Sequence, residues 1–398
     1  MEFINTTFAH GNGPYSRNVD LSLAVNEEFR KRRMNTLPIV VPLVYGDRQK
    51  RIMLEDFGDI IKKNPELILL DEFHGEVLRG LLFHEGTYQE NLEAFLERYN
   101  SAEEKLRNHL AGELELKTFE GKTIRVKGKD VALELSHNPR LATGCERSFY
   151  TTIAYFSEIL EKAATESELG LDKNLLLDVK KIAERIENDR GLHFMPEPFV
   201  FSYDKNRKVK KEIFTPPFIH PPRPNYEDVQ EGMYVTITGI DGLRGLFDDV
   251  EKFGMKLYCP PFIKLEGADN THVPEFVGNP RIIYQFARTG WSSVWWSHMS
   301  ETPLIAPAYT TGDDPEIYFN ERTVRALGLA VIFDSNKDPT EVLRKADALR
   351  PGLKKINSRL LSNYGTLDGI NYTAKVIVDS LEGKDITSYR QVRPVLST

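Results

Sequence analysis

A single glycine, Gly290, separates an apolar run from a helical pattern in the segment RTGWSS, which spans residues 288–293. Glycine at such a junction lets the backbone approach a ligand closely, and the amides of residues 291–293 would point out of the helix N-terminus. Unpaired amides and the positive end of the helix dipole attract anions. The hydroxyls of Ser292 and Ser293 add donors, and Arg288 adds a positive charge. We therefore predict that these residues, together with Trp291, bind a diphosphate.

Three carboxylates, Asp313, Asp314 and Glu316, follow the next apolar run of the sequence. The carboxyl ends of parallel strands meet at one edge of a sheet, where α/β folds bind ligands, so these carboxylates are expected near Gly290. Carboxylates repel phosphate, but their oxygens accept hydrogen bonds from the hydroxyls of a sugar. Phosphate-binding donors beside hydroxyl-binding acceptors predict a nucleotide-sugar pocket, with the three carboxylates on the donor sugar.

His10, on the loop after the first predicted strand, is the main candidate for a general base. An unperturbed histidine pKa of about 6.5 suits removal of a proton from an acceptor hydroxyl near neutral pH. The alternative is that His10 caps the following helix or bonds the loop backbone. Its neighbours Gly11, Asn12 and Gly13 are predicted to form a loop that contacts the acceptor.

Other residues with chemical potential have competing interpretations. His84 and Glu85 form a second acid–base pair, and Asp241 is either a base or, as its glycine-flanked position favours, a turn former. For Trp295 and Trp296, packing in the core is favoured over stacking on a ligand. The histidines and cysteines lack metal-ligand spacing, so we predict neither a metal site nor a cofactor beyond the nucleotide sugar as co-substrate.

Alternating apolar runs and helical patterns must position these residues. In the first half we predict strands at 3–8, 37–45 and 67–70, β-like alternation at 114–136, and helices at 88–110, 145–164 and 173–188. In the second half we predict strands at 233–238, 255–258, 280–286, 303–306 and 329–333, and helices at 243–253, after Gly290, and at 318–327, 340–362 and 371–382. Strands alternating with helices in this way predict an α/β fold with parallel sheets covered on both faces.

A chain of 398 residues is too long for one ordinary core and suits two domains. Prolines are concentrated between residues 196 and 224, and proline neither donates to a sheet ladder nor continues a helix. We therefore predict four segments: an N-terminal Rossmann-like acceptor-binding domain (1–195), an inter-domain crossing (196–230), a C-terminal Rossmann-like nucleotide-sugar-binding domain (231–370), and a final helix and tail (371–398).

Composition argues against several classes of partner. Hydrophobic content of 40% and charged content of 28% are typical of soluble globular proteins. The formal net charge of −7, without a basic stripe, argues against a nucleic-acid partner. The basic run 205–211 is interpreted as a solvated loop, with contact to an acidic lipid or carrier as the alternative. We find no signal peptide and no apolar stretch of about 20 residues, which predicts a cytoplasmic protein without a transmembrane segment. Peripheral membrane contact through a patch such as 81–83 stays open.

The three blocks GWSS, TPLIAP and GDDPEIYFN occur in the order and spacing of a known donor signature. They resemble that of the inverting GT-B glycosyltransferases, which include the plant and antibiotic enzymes and the bacterial lipid-II GlcNAc transferase. The resemblance covers about residues 232–375 and is thinner over the first half. It implies two Rossmann-like domains facing a central cleft, with the C-terminal helix packing back on the N-terminal domain.

The resemblance also implies roles for individual residues. Arg288 takes the place of a histidine that contacts the α-phosphate, while Gly290, Ser292 and Ser293 hold the β-phosphate. Gly239 matches the first glycine loop of the same domain. Asp314 and Glu316 fall where donor-sugar hydroxyls are bound, and the nucleotide base is expected at Thr271, His272 and Val273.

One position departs from the pattern: Trp296 stands where the relatives carry a glutamate that binds the ribose. An indole accepts no hydrogen bond from ribose hydroxyls, so the identity of the nucleoside is left open. The implied activity is transfer of a sugar, with UDP-sugar favoured as donor, to an unknown acceptor, inverting and independent of metal. The alternatives are a GT-B-like nucleotide-sugar epimerase or hydrolase that relies on Glu85 and Asp241, and a catalytically silent nucleotide-sugar-binding protein.

Overall fold

The computed structural model describes residues 1–8, 12–82, 86–222, 228–240, 242–261, 263–270, 274–336 and 338–390. Its strands are β1 (Phe3–Phe8), β2 (Ile39–Pro42), β3 (Ile68–Asp71), β4 (Glu113–Lys117), β5 (Thr123–Lys127), β6 (Val131–His137), β7 (Ser148–Thr151), β8 (Leu192–Pro196), β9 (Glu212–Thr215), β10 (Gly232–Val235), β11 (Lys256–Cys259), β12 (Asp269–Asn270), β13 (Ile282–Phe286), β14 (Leu304–Pro307) and β15 (Ala330–Phe333). Its helices are α1 (Asn12–Lys31), α2 (Gly46–Lys63), α3 (Glu72–Leu82), α4 (Tyr88–Ala111), α5 (Phe156–Ala163), α6 (Lys173–Asn188), α7 (Leu243–Lys252), α8 (Trp291–Met299), α9 (Pro315–Leu327), α10 (Pro339–Asp347), α11 (Arg350–Tyr364), α12 (Gly369–Leu381) and α13 (Thr387–Arg390).

The chain divides into two compact units. The second unit comprises Pro196–Lys208 and Thr215–Gly369, and the first comprises Met1–Met195, Val209–Phe214 and the described chain from Ile370 onward. The C-terminal helix α12 therefore returns to the first unit, as the predicted fold requires. Arg32, just after α1, holds its end through ion pairs with Asp379 at 2.8 Å and with Glu382 at 2.5 Å.

A nine-stranded sheet forms the centre of the first unit, in the order β5-β4-β3-β2-β1-β6-β7-β8-β9. Strands β3, β2, β1, β6, β7 and β8 pair in parallel, whereas β4 and β5 add an antiparallel hairpin beside β3. The parallel strands are apolar and buried, as in β2, where Ile39, Val40 and Val41 are fully buried. The chain passes from β1 to β2 on one side of β1, and β6 later pairs with β1 on its opposite side.

A six-stranded sheet forms the centre of the second unit, in the order β12-β11-β10-β13-β14-β15, and all its pairs are parallel. Its core joins the strands to α7 and α10 through buried side chains such as Met233, Leu246, Phe286, Ile305 and Val342. Helices separate β10 from β11, β13 from β14 and β14 from β15, and this alternation, read from the apolar pattern, explains why this unit matches the predicted α/β sheet.

The stretch 145–164, predicted as one helix, instead contains β7 followed by α5. Strand β7 pairs in parallel with β6, with Ser148 opposite Glu134 and Thr151 opposite His137. Aromatic and β-branched residues favour the strand, and the run is buried on both faces, where periodicity does not distinguish a short strand from a helix. The helical prediction was wrong for this reason.

Two further predicted elements differ in detail. The helix expected at 340–362 is divided into α10 and α11, because Pro351 is tolerated only in the first turn of a new helix. The proline-rich stretch 196–230 includes β9, which adds a strand to the sheet of the first unit. Beside it, the Lys211 ammonium group donates to the Glu187 carbonyl at 3.0 Å. Lys205, Lys208, Lys210 and Lys211 are exposed, which agrees with the interpretation of the basic run as solvated.

Candidate functional site

The two predicted glycine loops of the second unit meet at one point of its sheet. The chain leaves β10 towards β11 and later returns on the other side at β13, so β10 and β13 flank a topological switch point. Gly239 follows β10 and Gly290 follows β13. The Thr236 amide, next to the end of β10, donates to the Phe286 carbonyl at 2.9 Å and ties the two loops together. Open α/β sheets bind their ligands at such a switch point.

Helix α8 begins at this point without a side-chain cap. Gly290 is its N-cap residue, with φ −68° and ψ 137°, and the first helical bond runs from the Val294 amide to the Gly290 carbonyl at 3.1 Å. The amides of residues 291–293 therefore stand outside the helical ladder, at the positive end of the dipole. A Cβ added at Gly290 would meet nothing within 4 Å. Neither backbone conformation nor packing against the described residues therefore requires a glycine at this position.

The other loop needs its glycines for conformation. Gly239 has φ +80° and Gly242 has φ +75°, a region that side chains with a Cβ rarely adopt. A Cβ on Gly242 would also lie 2.5 Å from the Ser335 Cβ. Gly242 is the N-cap of α7, so this loop ends at the N-terminus of a helix. Helix α7 follows β10 and α8 follows β13, and these two strands are neighbours in the sheet.

The predicted phosphate and sugar residues are in contact. The Arg288 guanidinium lies 3.8 Å from the Asp313 carboxylate, and the two side chains are 53% and 34% exposed. An exposed ion pair of this length contributes little to stability, so a phosphate group would displace it at low cost. The pair places the end of β13 and the loop after β14 on the same side of the sheet, where the sequence predicted both.

Asp314 and Glu316 have structural partners in addition to their predicted role. The Asp314 carboxylate caps α9 by accepting from the Glu316 amide at 2.8 Å, and Pro315 occupies the first helical turn. The cap explains why α9 begins three residues earlier than the predicted 318. The Glu316 carboxylate accepts from the Asn320 amide group at 3.4 Å. Both residues are partly exposed at the N-terminus of α9.

Sequence reasoning gave Asn320 no role, but this buried residue connects the two loops. Its side-chain oxygen accepts a hydrogen bond from the Trp291 indole at 2.7 Å, and both side chains are buried. The Trp291 ring therefore packs inward, and only its backbone amide is placed for the predicted phosphate contact. The spacing of four residues between Glu316 and Asn320 on one helix face was the available signal.

The two tryptophans later in α8 differ. Trp295 is 2% exposed and its indole donates to the Pro198 carbonyl at 2.9 Å, so core packing is confirmed for this residue. Trp296 is partly exposed on the adjacent face of the helix.

Several predicted residues lie in the parts of the chain that the structure does not describe. His10, Gly11, His84, Glu85, Asp241, Thr271, His272 and Val273 lie outside the described residues. Asn12 and Gly13, predicted as part of an acceptor loop, instead form the start of helix α1. The helix begins earlier than expected because Pro14 is tolerated in a first helical turn, where its missing amide costs no hydrogen bond.

Neither a metal centre nor a membrane span is evident in the described ranges. No group of three or more His, Cys, Asp or Glu side chains there is arranged to hold a metal ion. In that same part of the chain, no helix combines the length and apolar character needed to cross a bilayer. The described part of the second unit also has a cavity of about 280 Å³ lined by α9, β15 and α10, including Arg325 and Lys345, and none of the predicted donor residues lines it.

No family model and no curated protein matches the sequence. Solved structures do match over nearly the whole chain. They include the glycotransferase of kitacinnamycin (TM-score 0.57, 10% identity, 95% of this chain and 98% of that chain). They also include the glycosyltransferase SnogD from Streptomyces nogalater (TM-score 0.56, 12% identity, 96% and 99%). A third is UGT2 of Phytolacca americana complexed with UDP-2fluoro-glucose and pterostilbene (TM-score 0.54, 10% identity, 96% and 100%). The chain therefore has the GT-B fold, the fold of these antibiotic and plant glycosyltransferases.

Proposed function

We propose that this protein transfers a sugar from a nucleoside-diphosphate sugar, with UDP-sugar favoured, to an acceptor hydroxyl. The observation that carries the proposal is the uncapped N-terminus of α8 at the switch point of the second-unit sheet, with Arg288 and Asp313 beside it. Donors for a diphosphate and acceptors for sugar hydroxyls then lie side by side. The solved structures that share the fold support it, since one of them holds UDP and another holds UDP-2fluoro-glucose.

The diphosphate is proposed to bind at the start of α8. The amides of residues 291–293 and the hydroxyls of Ser292 and Ser293 donate to the β-phosphate, and Arg288 neutralises the α-phosphate. Gly239 leaves room on the neighbouring loop, because its positive φ turns the chain away and a Cβ there would meet nothing within 4 Å. Asp313, Asp314 and Glu316 accept hydrogen bonds from the sugar hydroxyls.

In the proposed reaction the acceptor oxygen attacks the anomeric carbon from the face opposite the diphosphate. The bond between this carbon and the β-phosphate oxygen breaks, and its electron pair stays on the leaving diphosphate. The fixed amides of α8 and the Arg288 charge stabilise the negative charge that develops there, without reorganisation of solvent. A base takes the proton of the acceptor hydroxyl, and His10 stays the proposed base. The countercharge that a metal ion would supply is assigned to the amides and Arg288.

Trp296 stands where the related enzymes carry the glutamate that binds the ribose of the donor nucleotide. An indole ring offers a flat apolar face and one N–H donor, but no acceptor for two ribose hydroxyls. We therefore propose that groups other than the Trp296 side chain bind the ribose hydroxyls. Nucleotide selectivity is measured with donors that carry different bases.

The proposal is tested by incubating the protein with UDP-, GDP- and dTDP-sugars, with and without a metabolite extract that supplies acceptors. Sugar transfer predicts nucleotide release that depends on the extract and falls strongly in Arg288→Ala. An isomeric donor sugar formed without acceptor would identify an epimerase, and release independent of the extract would identify a hydrolase. Tight donor binding without turnover would identify a silent binding protein. Each of these last three results contradicts the proposed transfer.

A further inference from the structure

The first unit contains a cavity of about 380 Å³ at the junction of β2 and α2. It is lined by Val44, Tyr45, Gly46, Arg48 and Arg79. The junction lies at the carboxyl end of β2, which is the edge where parallel sheets bind ligands, and β2 is the direct neighbour of β1. The volume is at the lower end of the range for small-molecule sites, so it suits one chemical group and part of the molecule that carries it.

Two guanidinium groups on the cavity wall have no acidic partner among the described residues. Arg79 is held in place by the loop backbone, since its Nε donates to the Val44 carbonyl at 2.7 Å and its second Nη donates to the Leu43 carbonyl at 3.3 Å. Arg48 makes no ion pair within the described ranges. Guanidinium groups match carboxylates and phosphates with paired, parallel hydrogen bonds. The cavity wall thus carries two guanidinium groups that form no ion pair with a described residue.

Helix α2 adds its N-terminus to the same cavity. It runs for 18 residues from Gly46, and its N-cap residue Tyr45 makes no side-chain capping bond. The Gln49 side chain accepts from the Val44 and Tyr45 amides, at 2.9 and 3.1 Å, which leaves the amides of residues 46–48 as the free donors of the first turn. The one carboxylate of that turn, Asp47, has a fully exposed side chain and does not line the cavity.

A buried hydroxyl behind the cavity wall supports this picture independently. Tyr15 is fully buried, and its hydroxyl has no hydrogen-bond partner among the described residues. Its ring lies 6.2 Å from that of Tyr45, which lines the cavity, and burial raises the pKa of Tyr15. A buried donor without a partner is costly, and this one lies beside one residue of the cavity wall.

We propose that this cavity binds an oxyanion, a carboxylate or phosphate group carried by the acceptor substrate. The inference rests on the proposed sugar transfer for the identity of the ligand as an acceptor. Arg48, Arg79 and the first-turn amides of α2 bind the charged group, and Val44 and the Tyr45 ring pack against the apolar part next to it. Acidic acceptors are then preferred over neutral analogues of the same shape.

The test uses inorganic phosphate and benzoate as probes, titrated separately at low ionic strength. Because phosphate would also bind at the start of α8, the titrations are made in the Gly290→Trp background, which closes that site. Removal of both guanidinium groups in Arg48→Met/Arg79→Met is expected to weaken probe binding by about tenfold or more. Arg48→Met alone, which breaks no described contact, is expected to account for a several-fold part of this loss. Lys63→Met, which removes one charge about 22 Å away at the far end of α2, is the matched control and leaves affinity within about twofold.

The outcomes separate this inference from the donor site. Equal probe affinity in the Gly290→Trp background with and without the arginine substitutions overturns it, whatever the state of the donor site. Equal loss in Lys63→Met also overturns it, because the effect would then reflect net charge. Preference for phosphate over benzoate, or the reverse, identifies which oxyanion the acceptor carries. Failure of sugar transfer alone would mean that the oxyanion is not carried by a sugar acceptor, and it would leave the oxyanion site itself standing.

Discussion

The hydrogen bond between Trp291 and Asn320 is expected to behave as a coupled pair that holds the start of α8 against α9. Both side chains are buried and the indole nitrogen lies 2.7 Å from the amide oxygen. Asn320→Leu leaves the indole N–H buried without an acceptor, which costs about 1–3 kcal/mol of unfolding free energy. Trp291→Phe leaves the amide oxygen without a donor and removes part of a packed ring, which costs about as much.

The double variant Trp291→Phe/Asn320→Leu removes both polar groups together, so its cost is expected to be below the sum of the single costs by about 1–2 kcal/mol. Urea unfolding followed by the fluorescence of the remaining tryptophans measures all three values. Trp296→Phe, a change of the same kind at a partly exposed position of α8, is the control and is expected to cost little. Additive single costs, within about 0.5 kcal/mol, would refute the reasoning that the pair acts as one buried unit.

Three further predictions concern the same unit. Burial lowers the pKa of His298 from 6.5 to about 4, so its neutral form stabilises the fold fully above pH 6.5 and progressively less down to pH 4. His298 contributes about 2 kcal/mol to the loss at pH 5, and His298→Gln is expected to remove this share in urea unfolding compared at pH 7.5 and 5. The buried His74, His137 and His193, whose pKa values are also lowered, retain their own contributions in the variant. Gly239→Ala is expected to lower the free energy of unfolding by about 1–2 kcal/mol because Gly239 has a positive φ. Gly290→Ala is expected to change it by less than about 0.5 kcal/mol. Calorimetric titration of Gly290→Ala with UDP is nevertheless expected to show weaker binding. Asp314→Ala is expected to cost about 1 kcal/mol through loss of the α9 cap, whereas Asp314→Asn, which keeps the cap, is expected to cost a few tenths. Equal costs for the two Asp314 variants would argue against the cap.

Local patterns predicted the elements around the donor loops closely. The strands expected at 280–286 and 303–306 are β13 and β14, because continuous apolar runs bounded by proline and glycine have few other solutions in a two-sided sheet. The Gly290 turn followed from the same pattern. The start of α9 was predicted three residues too late, although the sequence contains the signal for it. Aspartate is favoured at the N-cap and proline in the first helical turn, and Asp314 and Pro315 occupy these positions.

Contacts between distant parts of the chain were not predictable in this way. The bond from Trp291 to Asn320 spans 29 residues, and nothing local distinguishes it from a tryptophan facing a ligand. Strand β9 was missed because proline-rich flanks mask four buried residues whose partner strand is defined only by the folded sheet. Arg48 and Arg79 line the same cavity because α3 packs against β2. The sequence of either element alone does not specify this packing.

The central claim is that the N-terminus of α8 binds the diphosphate of the donor, and calorimetric titration with UDP, GDP and dTDP tests it most directly. Gly290→Trp fills the free space before the helix, whereas Gly352→Trp places the same ring on the exposed first turn of α11, where an added Cβ also meets nothing within 4 Å. We expect that at least one nucleotide binds the native protein and Gly352→Trp equally, within about twofold, and binds Gly290→Trp at least about tenfold more weakly. Equal affinity in all three proteins would contradict it.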